Sequence, residues 1–215
     1  MKDSDNIIRI GSSPLSPVHL LMQLWPKIQS GCPDLKFEII LFENTPENAR
    51  NILANLGERI DVVAGIFDET MLKLRRCAGL ELSREPICCV VSVHHRLAEK
   101  DRLQIQDLYG ENLLLMRRDW SSNMDHLRDD LLQNHGQINV VDFDFYDTSI
   151  FNRCESGNDV LIAIPGWDMV HPLLKVIPVQ WEYTIPYGLL YAPKPSETVK
   201  HFLEAARTAI QDTES

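Results

Sequence analysis

Hydroxyl and amide side chains recur in this chain where an apolar run gives way to a helical pattern. Ser12, Ser13 and Ser16 follow the run at 7–11 (IIRIG), and Asn44 and Thr45 follow 35–42 (LKFEIILF). Ser121 and Ser122 follow the run at 112–116 (NLLLM), and Thr148 and Ser149 come directly after Asp147. A helix start offers unpaired N–H groups and a partial positive charge, which suits a carboxylate or another small anion. Ser, Thr, Asn and Asp are also the ordinary N-caps, so each of these residues could serve as a cap and nothing more. The set says more than its members, because ligands of open α/β sheets bind beyond the carboxyl ends of the strands. Ile66 and Phe67, ending a third run, would supply an apolar wall. Arg117 and Arg118 could add a cationic contact, although the solvated rim suits them better. Glu43, Asp68, Asp119 and Asp147 leave room for an ammonium group.

Catalytic chemistry has no comparable signal. The histidines at 19, 94, 95, 126, 135, 171 and 201 are scattered, without HExxH or a Cys–His set at metal spacing. No GxSxG elbow, P-loop or GxGxxG is present. The expectation is therefore a binding protein rather than an enzyme, with no metal and no cofactor. Cys32, Cys77, Cys88, Cys89 and Cys154 form an odd set without a CxxC, and read as buried small hydrophobes in a reducing cytosol. A redox sensor has no positive support.

The elements that must position these residues alternate. The run at 7–11 reads as a strand, with Ser-Pro pairs at 13–14 and 16–17 as caps for a helix that Gly31 and Pro33 end. A strand at 35–42 leads through Thr45 and Pro46 to a helix whose Ala49, Ile52, Leu53 and Leu56 share a face, stopped by Gly57. A third strand spans 60–67. This β-α-β-α-β order favours a parallel sheet, and its apolar runs suggest strands covered on both faces. A second series follows. Strands are predicted at 86–93, 112–116, 138–145 and 160–164, and helices near 104–108, from 121 to 136, from 147 and at 167–175. The stretch 176–192 is extended, and Val199, Phe202, Leu203, Ala206 and Ile210 mark a last amphipathic helix. No linker separates the two series, so they read as lobes joined by strands.

With 215 residues, 44% hydrophobic and 24% charged, the chain can bury a sizeable core. A formal charge of −10 and a pI near 5.1 speak against direct contact with a nucleic-acid backbone. The start, MKDSDNIIRIGSS, lacks a signal peptide's apolar region, and no run reaches the roughly 20 apolar residues of a membrane span. A soluble cytoplasmic protein is expected.

Several segments, in order, resemble the effector-binding domain of LysR-type transcriptional regulators. The opening IRIG strand with its serine-rich turn is one. Cys32-Pro33-Asp34-Leu35 entering the second strand is another, and 53–64 (LANLGERIDVVA) is similar to the family's L-x-x-G-x-l-D-l-a-i, with Gly57 and Asp61 in place. His95-Arg96-Leu97-Ala98 followed by Leu103 and Asp107-Leu108 resembles HPLA…l-x-l-x-d-L. Ser156-Gly157 leading to Ala163-Ile164-Pro165 resembles a-G-l-G-i-a-l-l-P. Arg96 departs from the usual proline, and Asn158-Asp159 stands at the second glycine.

The resemblance implies two Rossmann-like α/β lobes joined by two crossover strands, a type 2 periplasmic-binding-protein-like fold. Lobe I would hold 6–86 plus 194–212 and lobe II 87–193, with crossings near Pro86 and near Pro193 and Pro195. It implies a small-molecule effector in the interlobe cleft, touching Ser12, Ser13, Ser16, Asn44, Thr45, Ile66, Phe67, Ser121, Ser122, Asp147, Thr148 and Ser149. It further implies a homodimer or higher homo-oligomer that pairs the helix near 17–29 with the partner's second lobe. DNA would be reached only through the family's N-terminal helix-turn-helix, which does not match any part of this sequence, and no membrane is involved. A solute-binding protein for transport stays open as an alternative, as does an enzyme on the same two-lobe fold.

Overall fold

The computed structural model describes residues 6–211, leaving aside the side chains of 19 and 20. In chain order it contains β1 (Ile7–Ser12), α1 (His19–Gly31), β2 (Lys36–Leu41), α2 (Pro46–Ala54), β3 (Val62–Ile66), α3 (Glu69–Arg75) and β4 (Ala78–Pro86). Then come β5 (Cys88–Ser92), β6 (Asn112–Met116), α4 (Ser122–Asn134), β7 (Asn139–Phe143), α5 (Thr148–Gly157) and β8 (Val160–Ala163). β9 (Leu174–Pro178), β10 (Thr184–Tyr191) and α6 (Glu197–Gln211) complete the chain. Two compact units result, one of residues 6–67, 72–83 and 186–211, the other of 68–71 and 84–185.

The first unit is built on a five-stranded sheet of order β2-β1-β3-β10-β4. β1 pairs in parallel with β2 and β3, as the β-α-β-α-β pattern predicts, while β10 runs antiparallel to β3. Gly188 of β10 is required, because the carbonyl oxygen of Leu80 lies 1.9 Å from where a Cβ would stand. Trp25 of α1 packs edge-on to Phe37 of β2, which meets Phe202 of α6 at 5.6 Å between ring centroids. Leu56, Ile60, Val63, Phe67, Cys77 and Leu190 form a second apolar cluster. The loop that leads into β3 is organised by Arg9. Its guanidinium donates to Asp61 Oδ1 at 2.7 Å and Oδ2 at 2.9 Å, and to the carbonyls of Gly57 and Glu58. The resemblance at Gly57 and Asp61 thus has a mechanical basis: Gly57 takes φ +98° and Asp61 anchors β1.

The second unit has a sheet of order β7-β6-β8-β5-β9, with β6 parallel to β7 and β8, and β5 antiparallel to β8 and β9. Its central strands β5 and β8 are buried throughout. Each Val, Leu or Ile so buried stabilises by about 1.5–3 kcal/mol. At the departure from HPLA, Arg96 Nε donates to Glu111 Oε1 at 2.6 Å and its Nη2 to the Asp107 carbonyl at 2.7 Å. The buried His95 ring accepts the Leu97 N–H on Nδ1, which leaves Nε2 to donate to Glu111 at 3.3 Å. At the second departure, Asn158 takes the left-handed conformation that ends α5, a role asparagine can fill in place of glycine.

Several expectations are corrected. Ser13 and Ser16 do not cap α1. β1 runs through Ser12, the turn 13–16 closes on itself, and α1 starts at His19 behind Val18 with no side-chain cap. No helix spans 167–175. A short 3-10 turn (Pro165–Trp167) buries Trp167, and β9 then pairs with β5. α3 and β4 lie where the sequence reading placed no element. β2 is not covered on both faces: it is an edge strand, with Leu41 81% exposed. The buried face of α6 ends on Ala209 rather than Ile210. Tyr187–Tyr191 pair with β3 in the first sheet, so the chain leaves the second unit at 185–186, earlier than the 193 expected.

Candidate functional site

In the first unit the residues after β1 come together with the end of β3. The Ser13 and Ser16 backbones bridge each other, with the Ser16 N–H donating to the Ser13 carbonyl at 3.0 Å. A methyl group on Gly65 would lie 4.0 Å from Ser16 Oγ, which places that hydroxyl beside β3. Tyr187, opposite Ile66 in the sheet, donates its hydroxyl to the Pro17 carbonyl at 2.8 Å and fixes the turn from below. Ser13 is 7% exposed, and its Oγ is buried without a hydrogen-bond partner among the described residues. An orphaned buried hydroxyl costs about 1–3 kcal/mol, so it calls for an explanation. The turn runs into a 13-residue helix that has no side-chain cap.

The other first-unit candidates divide. Thr45 caps α2 by accepting the Asn48 N–H at 3.3 Å, with Pro46 at the first helical position. Ser12 is in register with Leu41, and its carbonyl accepts from Phe42, next to the 43–45 loop that holds Asn44. Ile66 is buried in the sheet. Phe67 belongs to the apolar cluster, its ring 2.7 Å from where a Gly79 Cβ would stand, so it is spent on the core.

In the second unit the candidates sit at two helix starts. Ser121 caps α4, accepting the Met124 N–H, and donates its hydroxyl to Asp68 Oδ2 at 2.6 Å. Asp68 Oδ2 also accepts the Asn123 N–H at 3.2 Å, and its Oδ1 accepts the Met71 N–H at 2.9 Å. Asp147 caps α5 through Oδ1, which accepts from the Ser149 and Ile150 amides and from the Ser149 hydroxyl. Ser122, Thr148 and Ser149 are exposed. Beside α4 lies an open depression of about 480 Å³ lined by Asn123, His126, Glu182, Tyr183 and Thr184. There Tyr183 donates to Asp130 at 2.6 Å, and desolvation with that carboxylate pushes the phenol up to about 12. Asn123 Nδ2 holds the Thr184 carbonyl. Sequence reasoning did not find Tyr187, Asn123 or Tyr183. Their partners are 53 or more residues away, and no local pattern marks them.

Among the described residues no group of three His, Cys, Asp or Glu could hold a metal ion, and no helix is long and apolar enough to cross a membrane. A family model described as the LysR substrate binding domain matches residues 3–211. The chain belongs to that family. As a LysR substrate-binding domain it is an effector-sensing module of the regulator class, the reading that the segment order had suggested. Its fold agrees with solved members. The effector binding domain of QuiR in complex with shikimate superposes with a TM-score of 0.66 at 16% identity, covering 97% of this chain and 99% of that one. The oxidised form of OxyR gives 0.60 at 19% identity over the full length of both chains. The BenM effector binding domain with benzoate gives 0.56 at 16%, covering 98% and 94%. No curated protein matches the chain by sequence.

Proposed function

We propose that this LysR substrate-binding domain senses a small carboxylate, held at the turn 13–17 that leads from β1 towards α1. The orphaned Ser13 hydroxyl carries the reading. It is a buried donor with no partner among the described residues, in the turn before a helix whose N-cap residue Val18 makes no side-chain bond and whose first turn carries no acid. Ser12, Ser16, Asn44, Thr45 and Ile66 would complete the first-unit side, with Ser121, Ser122, Asp147, Thr148 and Ser149 presented by the second. Lobe I is the sheet of β1–β4 and β10 with α6, and lobe II the sheet of β5–β9. Shikimate and benzoate, which QuiR and BenM bind, are reasonable first probes. A Ser13→Ala domain should lose carboxylate binding while remaining folded, which calorimetric titration would test.

The effector would act by binding one conformation more tightly than another, shifting a regulator's equilibrium rather than catalysing a reaction. We also infer a cytoplasmic homodimer, reaching DNA only through a helix-turn-helix domain of the intact regulator. Met22 of α1 and Ile39 and Leu41 of the edge strand β2 are exposed on the first unit, and Leu132 of α4 is exposed on the second. Those faces suit the family's pairing of α1 with a partner's second lobe. Sedimentation of the domain with Leu41→Lys should show a shift from dimer to monomer.

A further inference from the structure

Both second-unit helices that begin at the carboxyl ends of parallel strands already hold a carboxylate of the chain itself. At α4 it is Asp68, which comes from outside that helix, is 5% exposed and accepts from Ser121 Oγ, Asn123 N–H and Met71 N–H. At α5 it is Asp147, which accepts from the amides of Ser149 and Ile150 and from the Ser149 hydroxyl. At α1, by contrast, Val18 at the N-cap makes no side-chain bond and the helix carries no acid in its own first turn. A helix start favours one negative charge through its partial positive charge and free N–H groups. Once a fixed carboxylate takes such donors, a second anion loses them and meets like charge instead.

We propose that Asp68 and Asp147 are specificity residues which bar an effector's carboxylate or phosphate from the second unit. The part of an effector that meets these helix starts is then uncharged, or carries donors such as hydroxyl or ammonium groups. Together with the first-unit carboxylate site, on which this half of the inference rests, the preferred class is a small molecule with a single acid group. Dicarboxylates and phosphorylated acids are disfavoured.

The test is amide-resolved NMR of the whole domain titrated with inorganic phosphate. In the wild type the amides of Asn123, Met124, Ser149 and Ile150 should not respond. In Asp68→Asn that of Asn123, the helix amide which Asp68 holds, should respond, with about tenfold or greater gain in local affinity. If Asp68→Asn does not fold, Asp147→Asn supplies the same test at Ser149 and Ile150. Wild-type titration at any of the four amides, or no gain in a folded variant, would overturn the proposal. The amides of Leu21 and Met22 report separately on the α1 site. Silence there counts against the carboxylate reading of the first unit and leaves the exclusion at α4 and α5 standing.

Discussion

Tyr187 donates its hydroxyl to the carbonyl of Pro17 at 2.8 Å, joining residues 170 apart in the chain. Tyr187 is 1% exposed, so the bond is formed away from competing water. It fixes the turn between β1 and α1 against the strand that faces Ile66. Tyr187→Phe keeps the ring and removes the donor, leaving that carbonyl without this partner. The variant should lose about 1–2 kcal/mol in urea unfolding. Effector affinity should fall as well, because the turn that presents Ser13 and Ser16 is no longer held.

Asp61 acts one layer further back. It is 7% exposed, and it accepts the Arg9 backbone N–H as well as the Arg9 guanidinium. Asp61→Ala removes both, and the loop from Gly57 to Asp61 loses its anchor. A cost of about 2–3 kcal/mol is expected in equilibrium unfolding, with only part of it recovered by Asp61→Asn, whose single amide oxygen can replace Oδ2 but brings neither the charge nor an acceptor for Arg9 Nη2.

The cysteines should be inert to oxidants. All five are buried, and none forms a disulfide. Burial pushes the Cys88 thiol up to about 11 and the Cys154 thiol to about 12, and raises Cys89 as well. A raised folded-state value means that the native protein keeps protons which the unfolded chain releases. Stability from these thiols is thus complete below about pH 9 and falls as pH rises towards 11–12. The melting temperature should drop between pH 9 and 11, with a shallower slope in Cys154→Ala. In native protein at pH 8 an aromatic disulfide reagent should label none of the five quickly. Rapid labelling would contradict the burial argument.

Much of this was legible in the sequence, for local reasons. Thr45-Pro46, Ser121 and Asp147 mark helix starts because capping depends on residues within one turn, and each does cap its helix. The strands β5, β6 and β8 are nearly all apolar because both of their faces are covered. What could not be read was set by partners far along the chain. The Ser-Pro pairs look like caps for α1, but β1 extends through Ser12 and Tyr187 holds the Pro17 carbonyl, so the helix starts later. β4 is an edge strand with a mixed burial pattern and no clean alternation to betray it. Asp68 was legible only as a nearby acid. Its role at α4 depends on Ser121 and Asn123, 53 and 55 residues later.

The central claim is that the unpartnered Ser13 hydroxyl is kept for an effector's acid group. Replacing Ser13 by Ala removes a buried hydroxyl that satisfies nothing within the described chain, so the free domain should gain up to about 1 kcal/mol in stability. The direct measurement is calorimetric titration of wild type and Ser13→Ala against a panel of monocarboxylates that begins with shikimate and benzoate. The account predicts that a monocarboxylate binds the wild type and binds the stable variant at least about tenfold more weakly, a loss of roughly 1.4 kcal/mol or more. Binding undiminished in Ser13→Ala, or a panel in which no monocarboxylate binds the wild type, would contradict it.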